Sequence, residues 1–282
     1  MSLRQALLRD RLAVCSLLFL LLVLLAALLA PWLAPHDPLA PDVQNKFAVW
    51  SAAHWLGTDH LGRDVFSRLL YGARYTLGFA LLTTAFTLLA GILPGLLAGV
   101  LRGRTETLLL RLCDILLSFP AEVLILAVTG MLGAGPEKAA LACLIAKWPW
   151  YARMMCGIAR QYADTNAVRF ARVMGHGLPH ILRRHILPRV AGETIVLATL
   201  HTGSFILTLS ALSFLGLGVQ PPAPEWGAML GEARNALLRA PWLMLPPGAA
   251  ILLVVAACNY LGDCLHDALE GRCGDEGKAV FN

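Results

Sequence analysis

Long apolar stretches alternate along the chain with short segments in which charged residues gather. An α-helix needs about 20 mostly apolar residues to cross the hydrocarbon core of a bilayer. Six stretches are long enough to predict such helices. They cover about residues 12–33, 75–101, 112–133, 139–157, 190–214 and 243–262. The pattern therefore predicts an all-α integral membrane protein with six transmembrane helices.

The first and the fourth stretch differ from the others in their charged residues. Residues 12–35 contain no charge over 24 positions, which is longer than the apolar core of a signal peptide and typical of a retained transmembrane helix. The fourth stretch is the least apolar, because Lys147 and Arg153 lie in it. We expect these two side chains to extend toward opposite membrane surfaces.

Basic residues are concentrated in every second connection, which predicts the orientation. Three arginines precede the first predicted helix, three surround the turn after the second, and six fill the connection between the fourth and the fifth. They are Arg4, Arg9 and Arg11; Arg102, Arg104 and Arg111; and Arg160, Arg169, Arg172, Arg183, Arg184 and Arg189. Because Lys and Arg favour the cytoplasmic side, both termini are expected in the cytoplasm.

The first outer connection, residues 34–74, also contains arginines. Asp59 and Asp64 lie close to them in sequence, and we expect these carboxylates to pair with Arg63, Arg68 or Arg74. In the second outer connection, residues 225–239 have helical spacing. Trp226 there is expected to anchor at the membrane interface.

Composition supports a membrane protein and excludes other classes. The chain is 57% hydrophobic and 15% charged, whereas a soluble domain has about a quarter charged residues. The net charge of +5 fits cytoplasmic anchoring better than nucleic-acid binding, since no nucleic-acid-binding motif accompanies the arginines. The seven cysteines form no C-x-x-C pair, and we interpret them as small core residues.

Residues 167–188, which we call the basic segment, have the pattern of two short amphipathic helices. Ala167, Phe170, Ala171 and Met174 recur on one helical face. Gly175 and Gly177 then allow a turn, a second apolar stripe follows, and Leu187-Pro188 is expected to end it. Such a unit suits the groove of a partner protein. An amphipathic loop held on anionic lipid is the alternative.

The basic segment resembles the "EAA" loop of ABC importer permeases. That pattern is Glu-Ala-Ala, three residues, Gly, nine residues and Ile-x-Leu-Pro. Ala171, Gly175, Leu187 and Pro188 match it, while Arg169 replaces the glutamate. Phe170 and His185 replace the first alanine and the isoleucine.

Further motifs resemble the dipeptide, oligopeptide and nickel branch of that family. HWLGTDHLGRDVFSRLLYGARYTL (54–77) is similar to its GTDxxGRDxxSRxxxGxRxSL signature, and SFLGLGVQPPAPEWGAML (213–230) and LCDILLSFP (112–120) resemble two others. The residues that match the first signature, called the GTD motif here, are Gly57, Thr58, Asp59, Gly62, Arg63, Asp64, Ser67 and Arg68. The resemblance extends over about residues 54–268.

The resemblance implies a type I ABC importer permease fold in a bacterial inner membrane, with the chain as the second, shorter permease. Implied partners are a homologous permease, two ATPase subunits and a periplasmic binding protein; ATP and Mg would bind the ATPases and no cofactor this chain. It implies an N-terminal segment 1–72, a permease core 73–268 and a cytoplasmic tail 269–282. The residues implied to couple to the ATPase are Arg169, Phe170, Ala171, Arg172, Gly175, His176, Gly177, Leu187 and Pro188.

The cargo is less sharply indicated. WPWYARM (148–154) and APEWGAML (223–230) resemble the nickel or metal-chelate branch, and a dipeptide or oligopeptide is the alternative. Glu122 and His201 are candidate pore residues, because polar groups within spans are costly; helix packing is the alternative role. His36, His54 and His60 match no compact metal spacing, and no metal ligand is assigned.

Other classes of membrane protein are less consistent with the sequence. A Walker sequence is absent from it, so ATP binding by this chain is not expected. An intramembrane enzyme would need a catalytic group of residues, for which Glu122 with His201 is the one plausible pair. A stand-alone channel or secondary transporter would not need a basic docking segment.

Overall fold

In a computed structural model that describes residues 10–270, the apolar stretches form helices that run side by side. The main helices are α1 (Arg11–Leu28), α2 (Val65–Leu101), α3 (Arg104–Leu117), α4 (Ala121–Leu132), α5 (Pro136–Ala163), α6 (Asn166–Val173), α7 (Leu187–Phe214), α8 (Trp226–Arg234) and α9 (Leu245–Glu270). Shorter turns are Ala30–Leu33, Val43–Asn45, Leu178–Ile181, Leu182–Ile186 and Pro241–Met244. Within the described range the structure contains no strand, and Thr58 and Asp64 form an isolated bridge.

The connections gather at two opposite ends of the bundle. The motif end contains residues 34–64 and 215–240, and the basic end contains residues 102–106 and 160–186. Helix α2 runs from one end to the other, and its 37 residues span about 55 Å at 1.5 Å per residue. At the basic end Arg102 pairs with Asp164 at 2.7 Å, and Arg160 pairs with Glu106 at 3.2 Å.

Four helical segments of the described chain are long and apolar enough to cross a membrane: Arg11–Leu28, Val65–Leu101, Val190–Phe214 and Pro241–Ala268. They correspond to the first, second, fifth and sixth predicted spans. Helices α3 and α4 could supply a fifth, although they are bent by 81°. Helix α5, which contains the fourth predicted span, does not join this group. Four to five spans are thus supported by length and composition.

The third predicted span, residues 112–133, is not one continuous helix. Helix α3 ends at Leu117 and α4 begins at Ala121, after Pro120. Proline lacks an N–H for helical bonding and disfavours helical backbone in the residue before it. The break therefore has a local cause in the sequence.

Helices α2 and α5 pack closely through small residues. Gly91, Gly95 and Gly99 recur every fourth residue on one face of α2. A Cβ added at Gly95 would clash with the carbonyl oxygen of Ala152, and one at Gly99 would lie 2.5 Å from the carbonyl oxygen of Cys156. This small-xxx-small pattern lets two helix backbones approach, as it does in membrane helix pairs.

The predicted helix stop at Pro188 was also wrong. The chain is helical from Leu178 through Phe214, with a π-helical turn at Leu182–Ile186. There the Leu187 N–H donates to the Leu182 carbonyl. Pro188 follows this turn directly and lacks the N–H that would continue the regular helical hydrogen bonds.

Three further sequence predictions concern the helix in the second outer connection, the cysteines and the two ends of the chain. The helix predicted within 225–239 is present but shorter, as α8. Five of the six described cysteines are buried, Cys15 is exposed on α1, and none of these six forms a disulfide bond. Arg4, Arg9, Cys273 and the predicted tail 269–282 lie outside the described residues, except that α9 reaches Glu270.

Candidate functional site

Two buried arginines of the GTD motif form the centre of the motif end. Arg63 Nε lies 2.6 Å from Asp59 Oδ2, and Arg63 Nη2 lies 2.9 Å from Glu232 Oε2. Arg68 Nη2 lies 2.8 Å from the same Glu232 oxygen. The two guanidinium charges are thus matched by two carboxylates, as buried charges require. This network joins the connection before α2 to helix α8.

The predicted pairing of aspartates and arginines is half right. Asp59 binds Arg63 as expected, but Asp64 binds no arginine among the described ion pairs. Instead, Asp64 accepts hydrogen bonds from the backbone N–H of Ser67 (2.8 Å) and its hydroxyl (2.7 Å). An aspartate at this position caps the first turn of a helix, so Asp64 begins α2.

Backbone turns explain the other GTD motif residues. Gly57 and Gly62 have φ of 75° and 82°, a region that L side chains rarely adopt. Asp59 Oδ1 accepts from the N–H groups of Leu61 at 2.8 Å and Arg63 at 3.0 Å, which closes the turn. The Thr58 hydroxyl accepts from the Ala48 N–H at 2.8 Å and donates to the Asn45 carbonyl.

A second buried carboxylate links α2, α7 and α8. Glu225 is 3% exposed. It accepts from the hydroxyls of Thr76 (3.0 Å) and Ser210 (3.1 Å) and caps α8 through the Ala228 N–H (2.8 Å). The SFLGLGVQPPAPEWGAML motif therefore fixes where α8 sits against two long helices.

The predicted interfacial role of Trp226 was wrong. Its indole is 2% exposed and its Nε1–H donates to the Leu69 carbonyl at 3.0 Å. A Cβ added at Gly72 would lie 2.7 Å from the Trp226 ring. The ring therefore fills a space that Gly72 leaves open in α2.

The structure gathers histidines that sequence spacing did not bring together. The rings of His36 and His54 are 4.8 Å apart, and His54 Nδ1 lies 2.9 Å from Asp64 Oδ1. These three could hold a metal ion, as could Asp59, His60 and Glu232. All three carboxylates already have structural partners, since Asp64 caps α2 and the other two bind arginines.

At the basic end, α6 presents apolar side chains outward. Phe170, Val173 and Met174 are 70%, 85% and 76% exposed, whereas Val168 and Ala171 are buried. Of the predicted apolar face, Phe170 and Met174 are thus uncovered, whereas Ala171 is buried. Exposed Arg169 and Arg172 flank this face, which gives an apolar and basic surface.

A single glycine makes the turn after α6. Gly175 has φ of 82°, and its N–H and that of His176 bond back to Arg172 and Ala171 at 3.0 Å. Gly177 has φ of −71° and opens the next turn. The stacked rings of His176 and His180 lie 4.1 Å apart. Desolvation, and then the nearby charges of His176, His185 and Arg184, lower the pKa of His180. Leu187 and Pro188 lie farther on, at the start of α7.

The Lys147 side chain was predicted to extend toward a membrane surface, but it lies within the bundle. It donates to the hydroxyls of Ser204 (3.3 Å) and Thr208 (3.1 Å) on α7. Arg153 pairs with Asp114 at 2.8 Å. His201 packs edge-on against the rings of Trp150 and Tyr151, at 4.9 and 5.0 Å.

The two candidate pore residues lie on different helices and differ in exposure. Glu122 is exposed in the first turn of α4, and His201 is half-buried on α7. Among the hydrogen bonds and ion pairs of the described residues, none joins Glu122 to His201. Their pairing as a catalytic acid and base therefore has no support in the geometry.

Apolar helices, a buried motif end and an exposed basic segment indicate a membrane protein with a surface suited to a partner. Over residues 91–274 the sequence matches the family described as "Binding-protein-dependent transport system inner membrane component". Residues 2–53 match the N-terminal TM domain of oligopeptide transport permease C. The chain belongs to this family of ABC importer permeases and is a multi-pass membrane protein.

Similar proteins are named for different cargoes. The chain is 40% identical over 263 residues, 93% of its length and 88% of the relative's, to the probable D,D-dipeptide transport system permease protein DdpC of Escherichia coli (strain K12). It is 37% identical over 278 residues, 99% and 96% of the two lengths, to the metal-staphylopine import system permease protein CntC of Staphylococcus aureus (strain NCTC 8325 / PS 47). Identity to the nickel transport system permease protein NikC of Escherichia coli (strain K12) is 36% over 255 residues, 90% and 92% of the lengths. The class predicted from the sequence is confirmed, and the cargo stays open.

Proposed function

We propose that this chain forms half of the translocation pore of an ATP-driven importer in a bacterial inner membrane. A longer homologous permease would form the other half, and this chain would be the second, shorter permease of the pair. Two ATPase subunits would bind ATP and Mg at the cytoplasmic side, and a periplasmic binding protein would deliver cargo at the motif end. Six spans with both termini inside fit this arrangement, because α5 also runs between the two ends.

One observation carries the proposal: α6 and the residue after it expose Phe170, Val173 and Met174 next to two exposed arginines at the basic end. An exposed apolar group of this kind marks an interaction surface. A short amphipathic helix suits a groove on a partner. We assign this groove to the ATPase subunit, with Arg169 contacting an acidic side chain where the family pattern has glutamate. ATP-driven closure of the ATPase pair would then move α6 and switch the pore.

For the cargo we propose nickel or a metal chelate, and a dipeptide or oligopeptide as the second candidate. The first rests on WPWYARM and APEWGAML and on relatives named for nickel and metal-staphylopine. The second rests on a relative of 40% identity named for D,D-dipeptides.

The test is purification of the tagged chain from its own membranes, with mass spectrometry of the associated chains. A second permease and an ATPase are expected. ATP hydrolysis by this complex with its binding protein should rise with a metal chelate, or with peptides if the second candidate is right. Recovery of the chain without any ATPase would overturn the proposal and leave lipid as the ligand of the basic segment.

A further inference from the structure

Lys147 is a cation placed well inside the bundle. It lies 11 residues after Pro136, where α5 begins at the motif end, which is about 16 Å along the helix. A charged side chain at membrane depth is costly and usually faces a protein interior or a water-filled path. The side chain is half-buried and turns sideways toward α7. Its position therefore needs an explanation other than contact with the membrane surface.

The contacts of Lys147 supply hydrogen-bond acceptors but little negative charge. Its ammonium donates to the hydroxyls of Ser204 and Thr208 at 3.3 and 3.1 Å and lies 4.9 Å from the ring centre of Phe205. None of the ion pairs among residues 10–270 includes Lys147. Glu122 is near enough to act on it electrostatically without a bond. An ammonium has three donors, so one is left for another acceptor.

The surroundings of Lys147 are polar and partly exposed. His201, Ser204 and Thr208 follow one another along one side of α7, at intervals of three and four residues, and all are half-buried. Hydroxyl and ammonium groups together can bind a carboxylate through charge-assisted hydrogen bonds. They are poor ligands for a transition metal ion, which prefers imidazole, thiolate or carboxylate.

We infer that Lys147, with Ser204 and Thr208, is a binding point for a carboxylate of the cargo as it crosses the membrane. This rests on the proposed function and narrows its cargo to carboxylate-bearing molecules, either short peptides or metal ions chelated by carboxylates. A bare hydrated metal cation is disfavoured, because the Lys147 ammonium, which is in no ion pair among the described residues, repels it.

The experiment uses the complete importer with its binding protein in proteoliposomes. The probes are alanylalanine, reduced glutathione, Ni²⁺ with histidine, and Ni²⁺ alone. Three variants are compared with the unaltered chain: Lys147→Met, Lys147→Arg, and the matched control Lys138→Met on the exposed first turns of the same helix. Uptake, complex assembly and ATP hydrolysis without cargo are measured for each.

Lys147→Met is expected to lower uptake of the transported carboxylate probe about tenfold or more, the loss of one hydrogen bond to a charged group. Assembly of the complex should be retained, which separates the loss of uptake from misfolding. Lys147→Arg should retain most uptake, because it keeps the charge and the donors, and Lys138→Met should behave as the unaltered chain.

Each other outcome overturns a specific statement. Normal uptake by Lys147→Met would overturn the carboxylate site. Equal loss in Lys147→Arg and Lys147→Met would also overturn it, because Lys147 would then be a packing residue. Uptake of Ni²⁺ alone as fast as Ni²⁺ with histidine would overturn the carboxylate requirement. If the unaltered importer accumulated none of the four probes, the cargo named in the proposed function would be overturned.

Discussion

Arg63 and Glu232 lie 169 positions apart in the sequence, and their side chains are 2.9 Å apart in the structure. Arg68 binds the same carboxylate oxygen. The contact ties the connection before α2 to α8, and helices α2 to α7 lie between these two segments in the sequence. The motif end is thereby a single linked surface rather than two independent loops.

Glu232→Gln should destabilise this end strongly. It leaves two buried guanidinium groups with one carboxylate, and removal of one partner from a buried charge network costs about 3–5 kcal/mol. Because Glu232 is partly exposed, the lower figure is expected. A lower melting temperature of the purified chain in detergent measures the effect. Glu137→Gln, at an exposed carboxylate of the same end, serves as the control.

The double variant Arg68→Met with Glu232→Gln tests the charge balance separately. It leaves Arg63 paired with Asp59, so the loss should be smaller than the sum of the two single losses. Additive losses would mean that the three groups do not act as one network.

Gly175→Ala should impair coupling while leaving membrane insertion intact. Space is available, since nothing lies within 4 Å of an added Cβ, but φ is +82°. A side chain in that backbone region costs about 1–2 kcal/mol, or roughly a tenfold shift against the native turn. Cargo-stimulated ATP hydrolysis by the importer is the measurement. Gly177→Ala, at a φ of −71°, should have little effect, and equal losses in both variants would contradict the assignment.

Gly95→Val should weaken the contact between α2 and α5. An added side chain there would clash with the Ala152 carbonyl, and overpacking of a close contact costs about 1–3 kcal/mol. Gly78→Val, in the same helix but with nothing within 4 Å of its Cβ, is the control. Yield and monodispersity in detergent should fall for the first variant alone. Equal behaviour would mean that α2 and α5 tolerate separation.

Hydropathy located the helices because membrane spans are marked by local composition. The spans at 12–33, 75–101, 190–214 and 243–262 each correspond to a helix that is apolar enough to cross. The bend at Pro120 and the π-helical turn before Pro188 were missed. Both depend on the backbone hydrogen bond that a proline cannot donate, and the hydropathy pattern does not contain that information.

Long-range contacts explain the other misses. Trp226 is buried because Gly72, far away in sequence, leaves room for its ring. Glu232 could have been found only as an unpaired acid on a predicted helix near several unpaired arginines. The proximity of His36 and His54 depends on how the connection before α2 folds back on itself.

Phe170→Asp should separate the chain from its ATPase without unfolding it. Phe170 is 70% exposed, so its replacement leaves no cavity, but it puts a charge into the surface assigned to the ATPase groove. Loss of a buried aromatic anchor typically costs about 2 kcal/mol or more of binding energy. Pull-down of the ATPase by the tagged chain should therefore fall sharply. Leu238→Asp, at a fully exposed leucine of the motif end, should retain the ATPase. If both variants retained it, α6 would not be the docking helix, and the exposed apolar residues at the basic end would be better explained by contact with lipid.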